Sequence, residues 1–230
     1  MNIQVLIATM NQNDYSLLEK MNIQSDAIVA NQCDKNEIEE VIYKGNRIKF
    51  LSFAEKGVGL NRNNALMRAT AEICLIADDD IIYCDNYVKI VEKKFKENPD
   101  ADVIIFNLYE KPQKRFVIKR KFKVHFFNFM KFGAPRIAFR TNSIKKYGIS
   151  FNLLFGGGTH FSAGEDTLFL YECLKKGLKI IAVPDFIGTL TESRTSTWFK
   201  GYTDKYFIDR GALFACISKR WAKFLSLQFC

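Results

Sequence analysis

Three consecutive aspartates, Asp78, Asp79 and Asp80, follow an apolar run at residues 73–77. Neighbouring carboxylates repel one another, so such a cluster costs folding free energy unless a cation lies close by. Carboxylate oxygens are preferred ligands of Mg²⁺ and Mn²⁺, and both ions also bind diphosphate oxygens. The pattern predicts a divalent metal held at this triplet, which would offset charge on a departing diphosphate. The alternative is a solvated acidic turn before a helix.

A second cluster joins three glycines to two acidic residues. In the segment FGGGTHFSAGED, at residues 155–166, Gly156, Gly157 and Gly158 precede Glu165 and Asp166. Glycines allow the backbone to approach a ligand closely. A carboxylate within hydrogen-bonding distance of a hydroxyl can remove its proton as the oxygen attacks. The same acidic pair also suits the first turn of a helix, where carboxylates are common.

Hydrophobic periodicity predicts the elements that position these clusters. Predicted strands lie at residues 3–9, 26–30, 47–52, 73–77, 102–107 and 179–183, with a strand or hairpin at 115–124. Predicted helices lie at residues 14–21, 61–71, 84–97, 141–147 and 165–176. Strands that alternate with helices pair in parallel, and ligands bind beyond the carboxyl ends of such strands. We therefore predict one α/β domain over residues 1–230.

Composition limits the function classes. The 230 residues are 48% hydrophobic, which predicts a folded core, and the net charge of +9 favours anionic partners. Six cysteines without C-x-x-C spacing and only two histidines argue against a structural zinc site and a disulfide framework. A reducing cytoplasm is therefore expected. Neither a signal peptide nor a membrane-spanning run is recognisable.

The order of the motifs over residues 1–190 resembles family 2 glycosyltransferases of the GT-A fold. Residues 57–66, GVGLNRNNAL, are similar to the family's glycine- and arginine-containing helix, and residues 71–80, AEICLIADDD, to its apolar strand and D-x-D motif. The resemblance implies an inverting enzyme that moves a sugar from a nucleotide-diphosphate donor to an acceptor hydroxyl with Mn²⁺ or Mg²⁺. It also implies a Rossmann-like, mixed, mainly parallel sheet flanked by helices.

The resemblance also implies roles for particular residues. Asp80 matches the principal metal ligand, and Asp78 the carboxylate nearer the ribose or the metal. Glu165 and Asp166 match the family's E-D motif, which makes Asp166 the catalytic base and Glu165 a residue that orients the acceptor. Arg62 matches a residue that faces the nucleotide, although its position equally suits an exposed helix surface.

The nucleotide end is expected after the first two strands. The sequence Ala8-Thr9-Met10-Asn11 is similar to the family's turn under the base, with Ala8 where proline is usual. Residues 31–34 resemble a motif that binds uracil, with Asp34 as first candidate and Gln32 as second. A carboxylate accepts the imide N–H of uracil, which favours UDP, whereas the alternative is a polar loop cap. The full nucleotide-binding prediction comprises Thr9, Asn11, Gln32, Asp34, Gly57, Arg62, Asp78 and Asp79.

A third protein ligand for the metal is not evident. Related enzymes often carry a later histidine, but none follows His160. Either Glu192 substitutes for it, or the aspartates and the diphosphate alone hold the ion. Arg194 is expected to contact the diphosphate. With Gly156, Gly157 and Gly158 it completes the predicted binding site for donor sugar and acceptor.

A basic and aromatic stretch at residues 111–131 holds eight lysines or arginines interleaved with phenylalanines. It suits a strand with one solvated face, a single-stranded nucleic acid site, or an anionic membrane surface. Among the functional readings we favour a surface near the membrane or the acceptor. Residues 212–229 have helical apolar spacing opposite Lys219, Arg220 and Lys223, which favours docking on the domain over contact with a membrane.

The expected organisation is a nucleotide-binding half at residues 1–110, an acceptor half at 111–200 and a helical segment at 201–230. Expected partners are a nucleotide-sugar and a saccharide or lipid-linked saccharide acceptor, without nucleic acid. By resemblance the enzyme serves bacterial surface polysaccharide synthesis in the cytoplasm or at the inner face of the cell membrane. One alternative is a non-catalytic basic protein that binds nucleic acid or membrane. A sugar-1-phosphate nucleotidyltransferase ranks lower, since residues 10–14 lack glycine and basic residues.

Overall fold

The computed structural model describes residues 1–191 and 201–229. Its strands form one sheet: β1 (Ile3–Met10), β2 (Asp26–Gln32), β3 (Glu37–Tyr43), β4 (Asn46–Phe53), β5 (Ile73–Asp78), β6 (Ile81–Tyr83), β7 (Val103–Tyr109), β8 (Phe122–Lys123), β9 (Ile137–Arg140) and β10 (Ile180–Leu190). The helices are α1 (Ser16–Lys20), α2 (Val58–Arg68), α3 (Tyr87–Glu97), α4 (Thr141–Lys146), α5 (Glu165–Lys175), α6 (Asp204–Ile217) and α7 (Ala222–Phe229).

The strand order is β3-β4-β2-β1-β5-β9-β7-β10-β6, with β8 beside β10. Strands β4, β2, β1 and β5 run parallel, as do β7 and β10. Strand β9 lies antiparallel between β5 and β7 and joins the two parallel groups. The prediction of a mixed, mainly parallel sheet flanked by helices is therefore confirmed.

Both faces of the central strands are buried. On β1, for example, Leu6 packs into one apolar cluster and Ile7 into the other. Strands that are covered by helices on both faces have continuous apolar sequences. β1 and β5 were therefore recognisable although their apolar and polar residues do not alternate. Many of the phenylalanines fill this core; Phe95, Phe106, Phe139 and Phe169 are each 0% exposed.

Three strands were not predicted. β3 carries the sequence EIEEVIY and pairs antiparallel with β4 at the sheet edge, where glutamates face water. Such charged edge strands protect a sheet from pairing with another chain. β6 and β9 have three and four residues, too few for a clear period.

Strand β10 does not end before Pro184 as predicted but continues to Leu190. Its register against β7 shifts between Ala182 and Phe186, and this irregularity accommodates the proline, which cannot donate to the ladder. The prediction of a strand or hairpin at residues 115–124 was largely wrong, because only Phe122–Lys123 is a strand. Side chains form hydrogen bonds with backbone groups in this segment. The Asn107 amide, for example, donates to the Ile118 carbonyl at 2.9 Å and accepts the Ile118 N–H at 3.0 Å.

The C-terminal helical segment is two helices rather than one continuous stretch. α6 begins after Thr203, whose hydroxyl oxygen accepts a hydrogen bond from the Tyr206 N–H at 3.3 Å. A turn around Ser218 separates it from α7, because the Ser218 hydroxyl accepts the Trp221 N–H at 3.3 Å. Among the described residues, no helix is both long enough and apolar enough to cross a bilayer.

Candidate active site

Polar residues meet where the parallel strands end at one edge of the sheet. Thr9 pairs in register with Asn31, and Asn31 with Ser52. The Asn31 side chain accepts the Gln12 N–H at 3.0 Å and donates to the Ser52 hydroxyl at 3.1 Å. It thereby fixes the turn that follows β1. Sequence reasoning included Asn31 in the motif at residues 31–34 but did not predict its burial, at 2% exposed, because an asparagine in a polar motif carries no sign of burial.

The triplet after β5 divides into three different environments. Asp79 accepts a hydrogen bond from the Thr9 hydroxyl at 2.6 Å, which ties the ends of β1 and β5 together. Asp78 pairs with Arg62 instead of pointing into open water. The backbone carbonyl of Asp80 accepts hydrogen bonds from Thr191, N–H at 2.8 Å and hydroxyl at 2.9 Å. Each carboxylate therefore has its own structural position.

Asp80 is the carboxylate best suited to a cation. Its Oδ1 is buried without a hydrogen-bond partner in the part of the chain that the structure describes. Burial, with the charges of Asp78 and Asp79, raises the pKa of Asp80 to about 6. An unpartnered carboxylate oxygen in this position fits a divalent ion. No group of three or more histidine, cysteine or acidic side chains in residues 1–191 and 201–229 forms a complete metal site.

Arg62 is buried, so the exposed helix surface considered for it is wrong. Its guanidinium donates to the carboxylates of Asp78 at 2.6 Å and Glu165 at 2.8 Å. It also lies over the ring of Phe151, with 5.4 Å between the guanidinium carbon and the ring centre. Burial alone would lower the pKa of Arg62, but the two carboxylates raise it above its ordinary value. Arg62 thus joins α2, the end of β5 and the start of α5.

The two acidic residues at the start of α5 point in different directions. Glu165 is 8% exposed and faces Arg62, and its Oε2 also accepts the Gly164 N–H at 3.1 Å. Burial and the neighbouring charge of Asp166 raise the pKa of Glu165, against the opposing effect of Arg62. Asp166 is half-buried and accepts N–H groups from Thr167 at 2.7 Å and from Ala134 at 3.3 Å. Asp166 is therefore the more accessible carboxylate of the pair.

The glycine-rich loop packs against the start of α2. The Gly157 carbonyl accepts the Val58 N–H at 3.0 Å. Gly156 has φ +106, and a Cβ there would lie 2.5 Å from Val58 Cγ1 and 2.8 Å from the carboxyl of Glu165. Gly156 is thus required for packing, whereas Gly158 is exposed. The predicted contact of these glycines with donor sugar or acceptor stays a prediction.

The predicted base-binding residues lie around the end of β2. The side-chain oxygen of Gln32 accepts the Gly57 N–H at 2.7 Å, and the backbone carbonyl of Gln32 accepts the Asn11 N–H at 2.8 Å. Asp34 is exposed on the following turn. A shallow depression adjoins Gln32 and is lined by Ala30, Asn31, Leu51, Phe53, Glu55, Asn61 and Asn64. Arg194, predicted at the diphosphate, and Glu192 lie outside the described residues.

Helix α6 fastens the glycine-rich loop, a contact that sequence reasoning missed. Asp209 accepts hydrogen bonds from the Ser162 N–H at 2.8 Å and from its hydroxyl at 2.6 Å. Lys205 donates to Asp209 at 2.9 Å and to the His160 carbonyl at 2.8 Å. Burial would raise the pKa of Asp209, but these hydrogen bonds and Lys205 lower it. The residues involved lie 47 positions apart, beyond any local pattern.

Comparison with solved structures identifies similar folds. S. aureus TarS 1–349 in complex with UDP-GlcNAc superposes with a TM-score of 0.70 at 18% identity, covering 100% of this chain and 71% of that one. The same protein in complex with UDP gives a TM-score of 0.68 at 17% identity, with 100% and 70% covered. A longer S. aureus TarS structure gives 0.65 at 16% identity, and the chain spans 39% of it.

No curated protein sequence matches the chain significantly. The model of the family described as Glycosyl transferase family 2 matches residues 15–168, more than half of the chain. That range includes the acidic triplet, the buried arginine of α2 and the acidic pair of α5. The chain therefore belongs to glycosyltransferase family 2 and is a glycosyltransferase with the GT-A fold.

Proposed function

We propose that the protein is an inverting, metal-dependent transferase that moves a sugar from a UDP-sugar to an acceptor hydroxyl. The observation that carries this proposal is the buried bridge from Asp78 through Arg62 to Glu165. It couples the acidic end of β5 to the residue next to Asp166. The bridge would then hold a donor diphosphate bound at the end of β5 and an acceptor hydroxyl bound at Asp166 in a fixed relative position.

The donor end is the edge formed by β1, β2 and β5. The UDP and UDP-GlcNAc bound in the TarS structures support a nucleotide-sugar donor here. We propose that Asp80 and Asp78 hold Mn²⁺ or Mg²⁺, because Asp80 Oδ1 is a buried acceptor without a partner among the described residues. Such an ion would supply positive charge to the departing diphosphate. Asp34 and Gln32, around the end of β2, are the proposed contacts of the uracil.

The acceptor end centres on Asp166. In the proposed step its carboxylate takes the proton of the acceptor hydroxyl while that oxygen forms a bond to the anomeric carbon. The bond from that carbon to the diphosphate oxygen breaks on the opposite face, which inverts the configuration. The Thr167 N–H, at 2.7 Å, holds the Asp166 carboxylate in place. Glu165 acts through Arg62 and the loop instead of touching the acceptor.

We further propose a saccharide or lipid-linked saccharide acceptor, used in bacterial surface polysaccharide synthesis at the cytoplasmic side of the membrane. The net charge of +9 supports an anionic acceptor or its anionic surroundings. A non-catalytic binding protein and a sugar-1-phosphate nucleotidyltransferase are both disfavoured by membership of the glycosyltransferase family.

The test separates donor binding from transfer. A panel of nucleotide-sugars is assayed for metal-dependent binding and for UDP release with the wild type, Asp80→Asn, Asp166→Asn and the exposed control Asp100→Asn. Asp80→Asn should abolish the metal dependence of UDP binding. Asp166→Asn should leave binding intact and slow transfer by about 10²–10⁴-fold, the usual contribution of a general base. Transfer by Asp166→Asn within twofold or so of the control would refute the assignment.

A further inference from the structure

Residues 119–131, here called the basic–aromatic loop, combine positive charge with exposed apolar side chains. The loop contains five cations, Lys119, Arg120, Lys121, Lys123 and Lys131, and no acidic residue. Within the described residues, none of these cations forms an ion pair with a carboxylate. Lys121 donates to the Asn98 amide at 2.7 Å, and Lys131 lies 5.0 Å from the ring centre of Phe116. The positive charge of the loop is therefore not neutralised internally.

The apolar side chains project from a turn in the same loop. Phe127 is 92% exposed, Phe126 50% and Met130 42%. A phenylalanine left almost wholly in water contributes nothing to the core, and burying it elsewhere would be favourable. Exposed apolar groups that lie together commonly mark a contact surface.

Hydrogen bonds and two buried flanking residues anchor the turn to the fold. The Asn128 side chain accepts the His125 N–H at 2.8 Å and donates to the Lys123 carbonyl at 3.3 Å. On either side of the tip, Val124 and Phe129 are 0% and 1% exposed. The Val124 N–H donates to the Ile180 carbonyl at 2.9 Å, which fastens the loop to the sheet beside β10. These anchors hold Phe126 and Phe127 outward.

We propose that the basic–aromatic loop binds the surface of an anionic lipid bilayer. Phe126, Phe127 and Met130 would enter the headgroup region, and the surrounding cations would contact lipid phosphates. Each lysine or arginine near such a surface contributes on the order of 1 kcal/mol to binding, or about a fivefold change in affinity. Amphipathic surfaces with basic and aromatic residues are bound in this way without crossing the bilayer.

A bilayer suits the loop better than a single-stranded nucleic acid. Nucleic acid sites of that kind use aromatic faces along a charged groove, on which successive bases stack. Here the most exposed ring lies at the tip of a turn, and Met130 beside it offers no aromatic face. The contacts of Phe126 and Phe127, an edge approach to Tyr171 and to His125, do not form a stacked platform.

The position of the loop links this surface to the proposed base. Phe127 precedes Ala134 by seven residues, and the Ala134 N–H donates to Asp166. The loop and the segment that contacts Asp166 are therefore close along the chain. Binding to the bilayer itself requires no sugar transfer, so it can be measured independently of the proposed function.

The test is cosedimentation of the full chain with vesicles of phosphatidylcholine alone or with about one third phosphatidylglycerol. The wild type should bind only the anionic vesicles. The triple variant Lys119→Glu/Arg120→Glu/Lys123→Glu should bind them at least about 100-fold more weakly, since loss of three basic residues alone gives that factor. The matched control Lys20→Glu/Lys44→Glu/Arg47→Glu makes the same charge change on α1, on the turn between β3 and β4, and on β4, and should lose much less affinity.

A second pair of variants tests the apolar part. Phe127→Ser should weaken binding about tenfold, while Ile42→Ser, at a position that is 70% exposed on β3, should not. Circular dichroism and unfolding curves of all variants confirm that each one is folded. Equal binding to neutral and anionic vesicles, or equal losses in loop and control variants, would overturn the proposal. Tighter binding of the loop to single-stranded nucleic acid than to anionic vesicles would also overturn it.

Discussion

The guanidinium of Arg62 lies 2.6 Å from the carboxylate of Asp78, and this ion pair connects helix α2 to the end of the central strand β5. Because Arg62 is 5% exposed, water cannot replace either partner at low cost. The same guanidinium reaches Glu165 at 2.8 Å, so the two acidic motifs share one buried cation. The spacing between the motifs therefore depends on Arg62 as well as on the backbone.

Replacing Arg62 by methionine should destabilise the fold strongly. The change leaves Asp78 and Glu165 without their cation, and breaking a buried ion pair in this way costs about 3–5 kcal/mol. The free energy of unfolding is measured in urea, with Arg68→Met on the same helix as the control. Arg62→Met/Glu165→Gln should recover part of the loss, since it removes one unpaired charge. Equal unfolding free energies for Arg62→Met and Arg68→Met would contradict a role for the bridge in stability.

Substituting Gly156 by alanine should disturb the start of α2. The new methyl group would lie 2.5 Å from Val58 Cγ1, and φ +106 is unfavourable for a residue with a Cβ. We expect a loss of about 2–4 kcal/mol, combining overpacking with backbone strain. Gly148→Ala is the control, because Gly148 has φ +61 but nothing within 4 Å of its Cβ position. If the urea concentration at the unfolding midpoint is no lower for Gly156→Ala than for Gly148→Ala, the glycine-rich loop accommodates the methyl group and the prediction is wrong.

The attachment of α6 to the glycine-rich loop should weaken at acid pH. The hydrogen bonds from Ser162 and the charge of Lys205 lower the pKa of Asp209 in the folded protein despite its burial. A group with a lowered folded pKa stabilises the protein above its unfolded pKa, and this contribution disappears as pH falls through the folded value. The stability difference between wild type and Asp209→Asn should therefore stay constant between about pH 7 and about pH 5 and shrink below about pH 4.

Hydrogen exchange of the Ser162 amide locates this effect, since Asp209 accepts that N–H at 2.8 Å. Asp209→Asn should speed the exchange near neutral pH, and Asp204→Asn, an exposed change in the same helix, should not. A difference in stability that stays constant across the acid range would argue against titration of Asp209.

Thr9→Val should loosen the acidic triplet while keeping the shape of the side chain. The change removes the 2.6 Å hydrogen bond from the hydroxyl to Asp79. Loss of one partner from a part-buried charged hydrogen bond costs about 1–3 kcal/mol, and metal-dependent UDP binding should weaken as well. Thr70→Val is the control at an exposed position. Unchanged calorimetric affinity for UDP in Thr9→Val would place Asp79 outside the nucleotide site.

The sequence by itself determined the central strands and the motif after β5. Residues 73–77 are all apolar, and only a strand covered on both faces can bury such a short run, so the position of Asp78 at its carboxyl end follows. The α/β class was predicted from the alternation of strands and helices, and the family and the mixed, mainly parallel sheet from the resemblance of the motifs. The boundaries of α2 and β10 were less accurate: α2 was predicted at 61–71 but spans Val58–Arg68, and β10 continues past the proline that was taken to end it.

Only the tertiary structure decided which polar groups are buried together. Arg62 and Glu165 are 103 residues apart, and no local period reports that one guanidinium lies between two acidic motifs. The packing role of Gly156 and the attachment of Ser162 to Asp209 are likewise contacts between distant segments. Local patterns reflect the period of a helix or strand, whereas partners of buried charges are selected by how the completed layers pack.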